Sequence, residues 1–430
     1  AELCAMASRL LLAGRGSRVG CFPHGYADGE WRPTTSAPSY TFSDLPPVLT
    51  STRLSSEAYG ICRDGAKLRR EAVNSNAEPM APLPPGGDAY EWSPRQCQLP
   101  PLERSTVCRR LGGSRVLLVG DSALQQVFYS LALTLGAAQG MKVQHRGVRK
   151  EATVRCGRPG ATRPGTANLT LLFLRNDHLQ VQKRGVQPSA AAAGTAAGGR
   201  KRSPPAESAP TGAEAEEEEE GRERLRQRWV AGLRRSTRDS SGRATPSEPY
   251  DQEAATADFI VLAVGLHFFR PDGAPMFDAS FLEDSLRSAL RTIAQARPGA
   301  PAARTVLASV AAPMPGCVNH SRPLPAEAAE AAWAARSPTM AGGAYLRQWA
   351  AWRQLPQLMR SVASEAGASH LDLTPLAATR PDRHMGAYKN FWHRAPVPLT
   401  LRDCVHYCLP GPTDAFARTL VGQLVALRNE

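Results

Sequence analysis

The chain has 430 residues, 42% of them hydrophobic and 6% aromatic, enough to build one large or two modest globular domains. Its formal charge of +13 suits an anionic partner: nucleic acid, an acidic membrane surface or an anionic polysaccharide. The sequence holds no zinc-finger spacing, no RNA-recognition signature and no basic helix with heptads, which sets nucleic acid aside as a partner.

Residues 1–20 form an N-terminal tail. The opening "AELCAMASRLLLAG" begins with Ala1 and can be read as the remnant of a targeting or anchor segment, which leaves room for a membrane anchor outside the given sequence. No run of about 18 apolar residues follows that would span a bilayer as a helix. Residues 21–112 are rich in Pro, Ser, aromatic residues and Cys, with weak periodicity, and read as a loop-rich region stapled by disulfides.

From residue 113 the pattern changes. Residues 115–119 read as a short buried strand, 123–135 as a helix, and 141–146 and 169–174 as strands. A low-complexity insertion over 187–249 then interrupts the domain; "EAEEEEEGRER" and "STRDSSGRATPSE" bury too little apolar surface to offset chain entropy, so it is expected to be disordered. The "DFIVLAV" run at 258–264 is a central parallel strand. Helices are expected over 281–296, 345–366 and 414–427, and strands over 305–310 and 370–373. Strands alternating with helices predict an α/β domain over 113–186 and 250–430, a three-layer αβα fold with a central parallel sheet.

Nine cysteines are scattered without a CxxC pair. Cys404 and Cys408 flank His406, but zinc ligands usually arrive in close pairs, and disulfides in a secretory compartment are the better reading; no metal is expected. The sequons Asn168-Leu169-Thr170 and Asn319-His320-Ser321 agree with secretion.

Two short stretches carry chemistry. In "VLLVGDSALQQ", Ser122 follows a strand and opens a helix, at the carboxyl end of a parallel sheet where sites gather. In "RDCVHYCLPG", Asp403 and His406 stand three residues apart before the last helix, a spacing that sets a carboxylate against one imidazole nitrogen and leaves the other for Ser122. A serine nucleophile, a histidine base and an orienting aspartate are the parts of acyl transfer. No GxSxG elbow surrounds Ser122, which disfavours the α/β-hydrolase fold.

These blocks resemble the SGNH (GDSL-like) hydrolase superfamily and, more narrowly, the trichome birefringence-like proteins of the PC-esterase type. "CFPHGYADGEWRP" from Cys21, "YEWSPRQCQLP" from Tyr90, "LDLTPLAATRPDRHMGAY" from Leu371 and "DCVHYCLPG" from Asp403 are similar to ordered blocks of that family. The resemblance covers nearly all of 21–184 and 250–430. It implies an SGNH/flavodoxin-like fold and a Golgi O-acetyltransferase acting on wall or matrix polysaccharides, with Ser122 as nucleophile, His406 as base and Asp403 as its partner. It implies no bound cofactor, an acetyl donor as co-substrate and a polysaccharide acceptor. It also implies the disulfides Cys21–Cys97, Cys62–Cys408, Cys317–Cys404 and Cys108–Cys156, with Cys4 left as the odd thiol.

The chain departs from the family in "GLHFF", where an Asn-Thr-Gly-His-Trp-Trp motif is usual, so the oxyanion partner stays open. Gly265 offers a backbone N–H; His267 either lines the acceptor site or caps a strand; Asn176 is a second oxyanion candidate or a loop residue. Arg175 either meets an anionic sugar or donor or is a surface residue, and Trp392 either stacks on a sugar ring or packs in the core. The same residues serve three readings: an O-acetyltransferase, a carbohydrate acetylesterase that uses water as acceptor, and a polysaccharide-bridging protein without catalysis.

Overall fold

A computed structural model describes residues 21–22, 25–35, 40, 90–144, 148–157, 167–177, 179, 250–265, 279–310, 314, 317, 320–334, 354–384 and 404–429. The expected tail 1–20 and the expected insertion 187–249 lie outside the described residues, as do His267, Asn319, Trp392, Asp403, Cys4 and Cys62.

The sheet is built on β3 (Arg115–Gly120), whose Val116, Leu117, Leu118 and Val119 are all fully buried. Such a continuous apolar run marks a strand covered on both faces. β3 pairs in parallel with β6 (Leu169–Arg175) on one side and β7 (Phe259–Ala263) on the other. Beyond β7 lie β8 (Thr305–Ser309) and β9 (Ser369–Asp372), both parallel. The far edge adds antiparallel strands to the expected central parallel sheet. There β4 (Lys142–Gln144) and β5 (Arg149–Val154) run antiparallel, giving the order β4-β5-β6-β3-β7-β8-β9. β5 escaped the sequence reading because its inward face runs Lys150, Ala152, Val154, and the lysine breaks the apolar alternation.

After β3 the chain crosses through α2 (Ser122–Thr134) to the β6 side, then returns past β3 to β7. β3 is therefore the topological switch point, and the crevice at its carboxyl end is where open α/β sheets bind ligands. The helices α4 (Ala279–Ala296) and α6 (Gln354–Glu365) follow β7 and β8 and pack on one another, α6 also against β8 and β9. The final helix α8 (Pro412–Arg428) packs on α2. Right-handed crossovers in opposite directions from β3 put these two helix pairs on opposite faces.

The described part of 21–112 holds regular elements. β1 (Gly29–Pro33) and β2 (Tyr90–Pro94) form an antiparallel pair, and α1 (Arg104–Leu111) leads into β3. The disulfide Cys21–Cys97 staples this region, and Cys108–Cys156 ties α1 to the end of β5. Trp92 donates its indole N–H to Tyr26 O at 2.8 Å within this region, and Arg418 of α8 donates to Leu99 O and Pro100 O, fastening the region to the main domain.

The described part of the helix expected over 345–366 is α6; residues 335–353 lie outside the described residues. Three short helices were not expected: α3 (Asp251–Thr256), α5 (Ala326–Ala334) and α7 (Thr374–Ala378). Among the described residues no helix is long and apolar enough to cross a membrane.

Candidate active site

In β3's register, Gly120 stands beside Arg175 of β6 and Ala263 of β7. The residues that follow on all three strands emerge at the same edge of the sheet: Asp121 and Ser122, Asn176 and Asp177, Val264 and Gly265. Hydrogen bonds lock this edge. Asn176 N–H donates to Gly120 O at 2.9 Å, and Asp121 N–H donates to Ala263 O at 3.2 Å. A Cβ on Gly120 would lie 2.0 Å from Ala263 O, so only glycine lets the strands approach this closely.

Asp121 is the N-cap of α2, its carboxylate accepting the Ala123 N–H at 3.0 Å. The aspartate of Gly-Asp-Ser therefore belongs to the cap, and the cap fixes Ser122 as the first residue of the helix. Ser122 is only 6% exposed, and its Oγ lies 2.6 Å from His406 Nε2. This is the distance at which an imidazole takes the proton of a serine hydroxyl.

His406 is carried by a loop held from four directions. Cys404, two residues earlier, is disulfide-bonded to Cys317, and its carbonyl accepts the Met314 N–H at 3.0 Å. Tyr407 stacks on His384 with ring centroids 4.2 Å apart and donates its hydroxyl to Ala377 O. Cys408 N–H donates to Arg383 O at 2.8 Å, and Cys408 is itself disulfide-bonded. Arg383 also donates to Pro410 O at 2.7 Å. Burial raises the Tyr407 phenol far above its ordinary value, so it stays a neutral donor.

The other sequence candidates divide. Gly265 is buried at the end of β7, with φ at +151°, a conformation that favours glycine. Asn176 is buried beside Gly120. Arg175 points to a local partner instead of open solvent, its guanidinium meeting Asp177 at 3.0 and 3.3 Å. Of the four expected disulfides, Cys21–Cys97, Cys108–Cys156 and Cys317–Cys404 are formed; the fourth involves Cys62. Among the described residues no group of three or more His, Cys, Asp or Glu is placed to hold a metal ion.

One element of the site went unread in the sequence. Ser122, Gln126 and Ser130 recur every fourth residue on α2 and all are buried. Each meets the C-terminal segment: Ser122 meets His406, Gln126 meets Tyr407, and Ser130 donates to the Asp414 carboxylate. The i, i+4, i+8 spacing of polar residues along one face of a largely apolar helix was the available signal.

A mostly parallel α/β sheet, with Gly-Asp-Ser at its switch point and a C-terminal loop histidine beside that serine, is an SGNH-like fold. Residues 243–423 match the PC-esterase family, described as "GDSL/SGNH-like Acyl-Esterase family found in Pmr5 and Cas1p", and the chain carries a PC-esterase domain there. The match includes His406 and begins after Ser122. The chain is 34% identical over 67 residues to "Xyloglucan O-acetyltransferase 1" of Arabidopsis thaliana, covering 15% of this chain and 16% of that protein. It is 30% identical over 77 residues to "Probable xylan O-acetyltransferase 9" of Oryza sativa subsp. japonica, 17% of each. It is 44% identical over 46 residues to "Protein trichome birefringence-like 24" of Arabidopsis thaliana, 10% of this chain and 11% of that protein. The similar stretches thus span less than a fifth of each of these relatives.

Proposed function

We propose that this protein is a serine-dependent O-acetyltransferase that moves an acetyl group from a donor to a hydroxyl of a cell-wall or matrix polysaccharide. The observation that carries the reading is the 2.6 Å approach of Ser122 Oγ to His406 Nε2 at the switch point of the sheet. The family description and the two relatives named as O-acetyltransferases support the acyl chemistry and the polysaccharide acceptor.

In this reading His406 Nε2 takes the Ser122 hydroxyl proton as Oγ attacks the acetyl carbonyl carbon of the donor. The Ser122 N–H, at the start of α2, favours the oxyanion of the tetrahedral intermediate. Gly265 and Asn176, whose strands flank β3 at this edge, are the further oxyanion candidates. The intermediate collapses, the donor's leaving group departs with the proton from His406, and acetyl-Ser122 remains. A sugar hydroxyl then gives its proton to His406 and attacks the acyl carbon, forming the product ester and restoring Ser122. Asp403, by the family pattern, orients His406; His267, which the family's Gly-His pattern retains, and Trp392, an aromatic ring on which a sugar can stack, are the candidates for the acceptor side.

The three disulfides support an oxidising, secretory compartment, and we assign the protein to the Golgi lumen. Asn168 supports this assignment further: it is exposed just before β6, with its Oδ1 accepting the Cys156 N–H and its amide nitrogen available to a glycan. An Asn168→Gln variant is expected to lose an endoglycosidase-sensitive mass.

The description of the family as acyl-esterases favours one second reading, the same acyl-enzyme resolved by water. Purified protein supplied with an acetyl donor and a panel of glycans separates the two. Transfer gives acetylated glycan, whereas hydrolysis gives free acetate alone. Full activity in Ser122→Ala would sink both.

A further inference from the structure

We propose that Gln126 is a positioning residue for His406, fixing the base against the nucleophile through the main chain of Tyr407; the proposal rests on the serine reading above. The Gln126 side-chain amide grips Tyr407 at two points. Its Nε2 donates to Tyr407 O at 2.7 Å, and its Oε1 accepts the Tyr407 N–H at 3.0 Å. The Tyr407 N–H belongs to the peptide unit whose carbonyl is that of His406. Holding it therefore fixes the plane in which the His406 backbone leaves its Cα.

Gln126 lies one helical turn beyond Ser122, on the same face of α2. Nucleophile and clamp thus sit on one rigid element, and the base is referred to that element by both of them. Gln126 is 1% exposed and Tyr407 2% exposed, so no water competes for these bonds. The disulfide at Cys404 and the stacking of Tyr407 on His384 hold the loop to other parts of the fold. The Gln126 amide ties Tyr407 to the serine's own helix. A misplacement of about 1 Å costs roughly a hundredfold in rate, so this clamp is felt in the chemistry.

The side chain has a chemical signature that separates positioning from simple packing. An amide offers one donor side and one acceptor side, and so does a protonated carboxylic acid. An ionised carboxylate offers acceptors only, and would face the Tyr407 carbonyl with no proton between them. Gln126→Glu should therefore work while its carboxyl is protonated and fail once it ionises. Burial raises that carboxyl above the ordinary value of about 4.3, into a range where His406 can act as base.

The test follows acetyl-Ser122 formation from para-nitrophenyl acetate by intact mass, between about pH 5 and pH 8, on the full chain. The rate of Gln126→Glu relative to wild type is expected to fall at least about tenfold as pH rises through this range. Gln126→Met, which fills similar space without either bond, is expected to be about 10- to 100-fold slow at every pH while melting cooperatively. A Gln126→Met rate within twofold of wild type would overturn the proposal. So would a Gln126→Glu ratio independent of pH, or failure of both variants to fold at every pH, which would assign Gln126 to structure alone. Ser122→Ala is the separating arm: if it still acquires the acetyl group, the serine reading falls whatever the Gln126 variants do.

Discussion

The guanidinium of Arg380 lies 4.5 Å from the ring centroid of Trp31, joining β1 near the start of the chain to the segment that supports the histidine loop. Arg380 is fully buried and bidentate to Asp382 at 2.9 and 3.0 Å, and the Tyr90 ring is 5.5 Å from it. A buried arginine needs such company, because the cost of desolvating it exceeds what one carboxylate returns. Trp31 also donates its indole N–H to Thr379 Oγ1 at 3.1 Å and to Leu376 O at 3.3 Å. Arg383, the residue after Asp382, accepts the Cys408 N–H through its carbonyl, so the brace from β1 reaches the loop of His406 in a few steps.

Trp31→Ala removes the ring and both hydrogen bonds and leaves the arginine poorly covered. The expected loss is about 3–4 kcal/mol in denaturant unfolding. Trp31→Phe keeps a ring over Arg380 and loses only the indole donor, for about 1 kcal/mol. Equal effects from the two variants would show that the cation–ring contact contributes nothing.

Gly120→Ala tests the packing that places Ser122. The added Cβ would meet the main-chain O and C of Ala263 at 2.0 and 3.0 Å, and Leu124 Cδ2 at 2.9 Å; the severest clash is with backbone at the centre of the sheet. Moving a side chain does not relieve the clash with Ala263 O, so β3 and β7 must part where Ser122 leaves the strand. We expect about 1–3 kcal/mol of destabilisation and about a hundredfold loss of acetylation rate. Wild-type melting and wild-type rate together would mean that the strand ends are looser than their register implies.

The elements written in apolar runs were legible in the sequence: β3 from "RVLLV", β7 within "DFIVLAV", and α8 from its periodicity. Ser122 and His406 stood out because a serine after a strand and a histidine before the last helix are short-range patterns. The polar partners inside the fold were not legible, for a physical reason. Gln126 and Tyr407 are 281 residues apart, and Ser130 and Asp414 are 284 apart, so no local period links them. Lys150 hid β5 by putting a charge where the alternation required an apolar residue. β1 and β2 pair across more than fifty residues, and a five-residue strand ending in proline gives little signal alone.

The Cys317–Cys404 bridge should matter to rate as well as to folding. It closes a separation of 87 residues and anchors the loop two residues before His406. Replacing both cysteines by alanine is expected to cost about 2–4 kcal/mol. If the bridge also holds His406 in place, acetylation at a temperature well below the melt should drop by about tenfold or more. An unchanged rate in a folded double variant would assign the bridge to stability alone.

Lys150 gives the fold an expected dependence on pH. Its side chain is fully buried, with Nζ 3.3 Å from Gln125 Oε1 and 4.9 Å from the centroid of Phe173. Burial, with a smaller push from Arg175, lowers its pKa to about 7. In the unfolded chain an ordinary lysine titrates near about 10.4. Between these values the unfolded state holds a proton that the folded state lacks, so stability from this group rises with pH across the window. Below about pH 7 both states carry the charge, and the folded state bears the full cost of burying it. Lys150→Met removes that cost. The variant is therefore expected to melt higher than wild type at about pH 6, and its advantage should shrink as pH approaches about 10. Melting temperatures of both proteins across that range decide the point: a constant difference would mean that Lys150 keeps an ordinary pKa despite its burial.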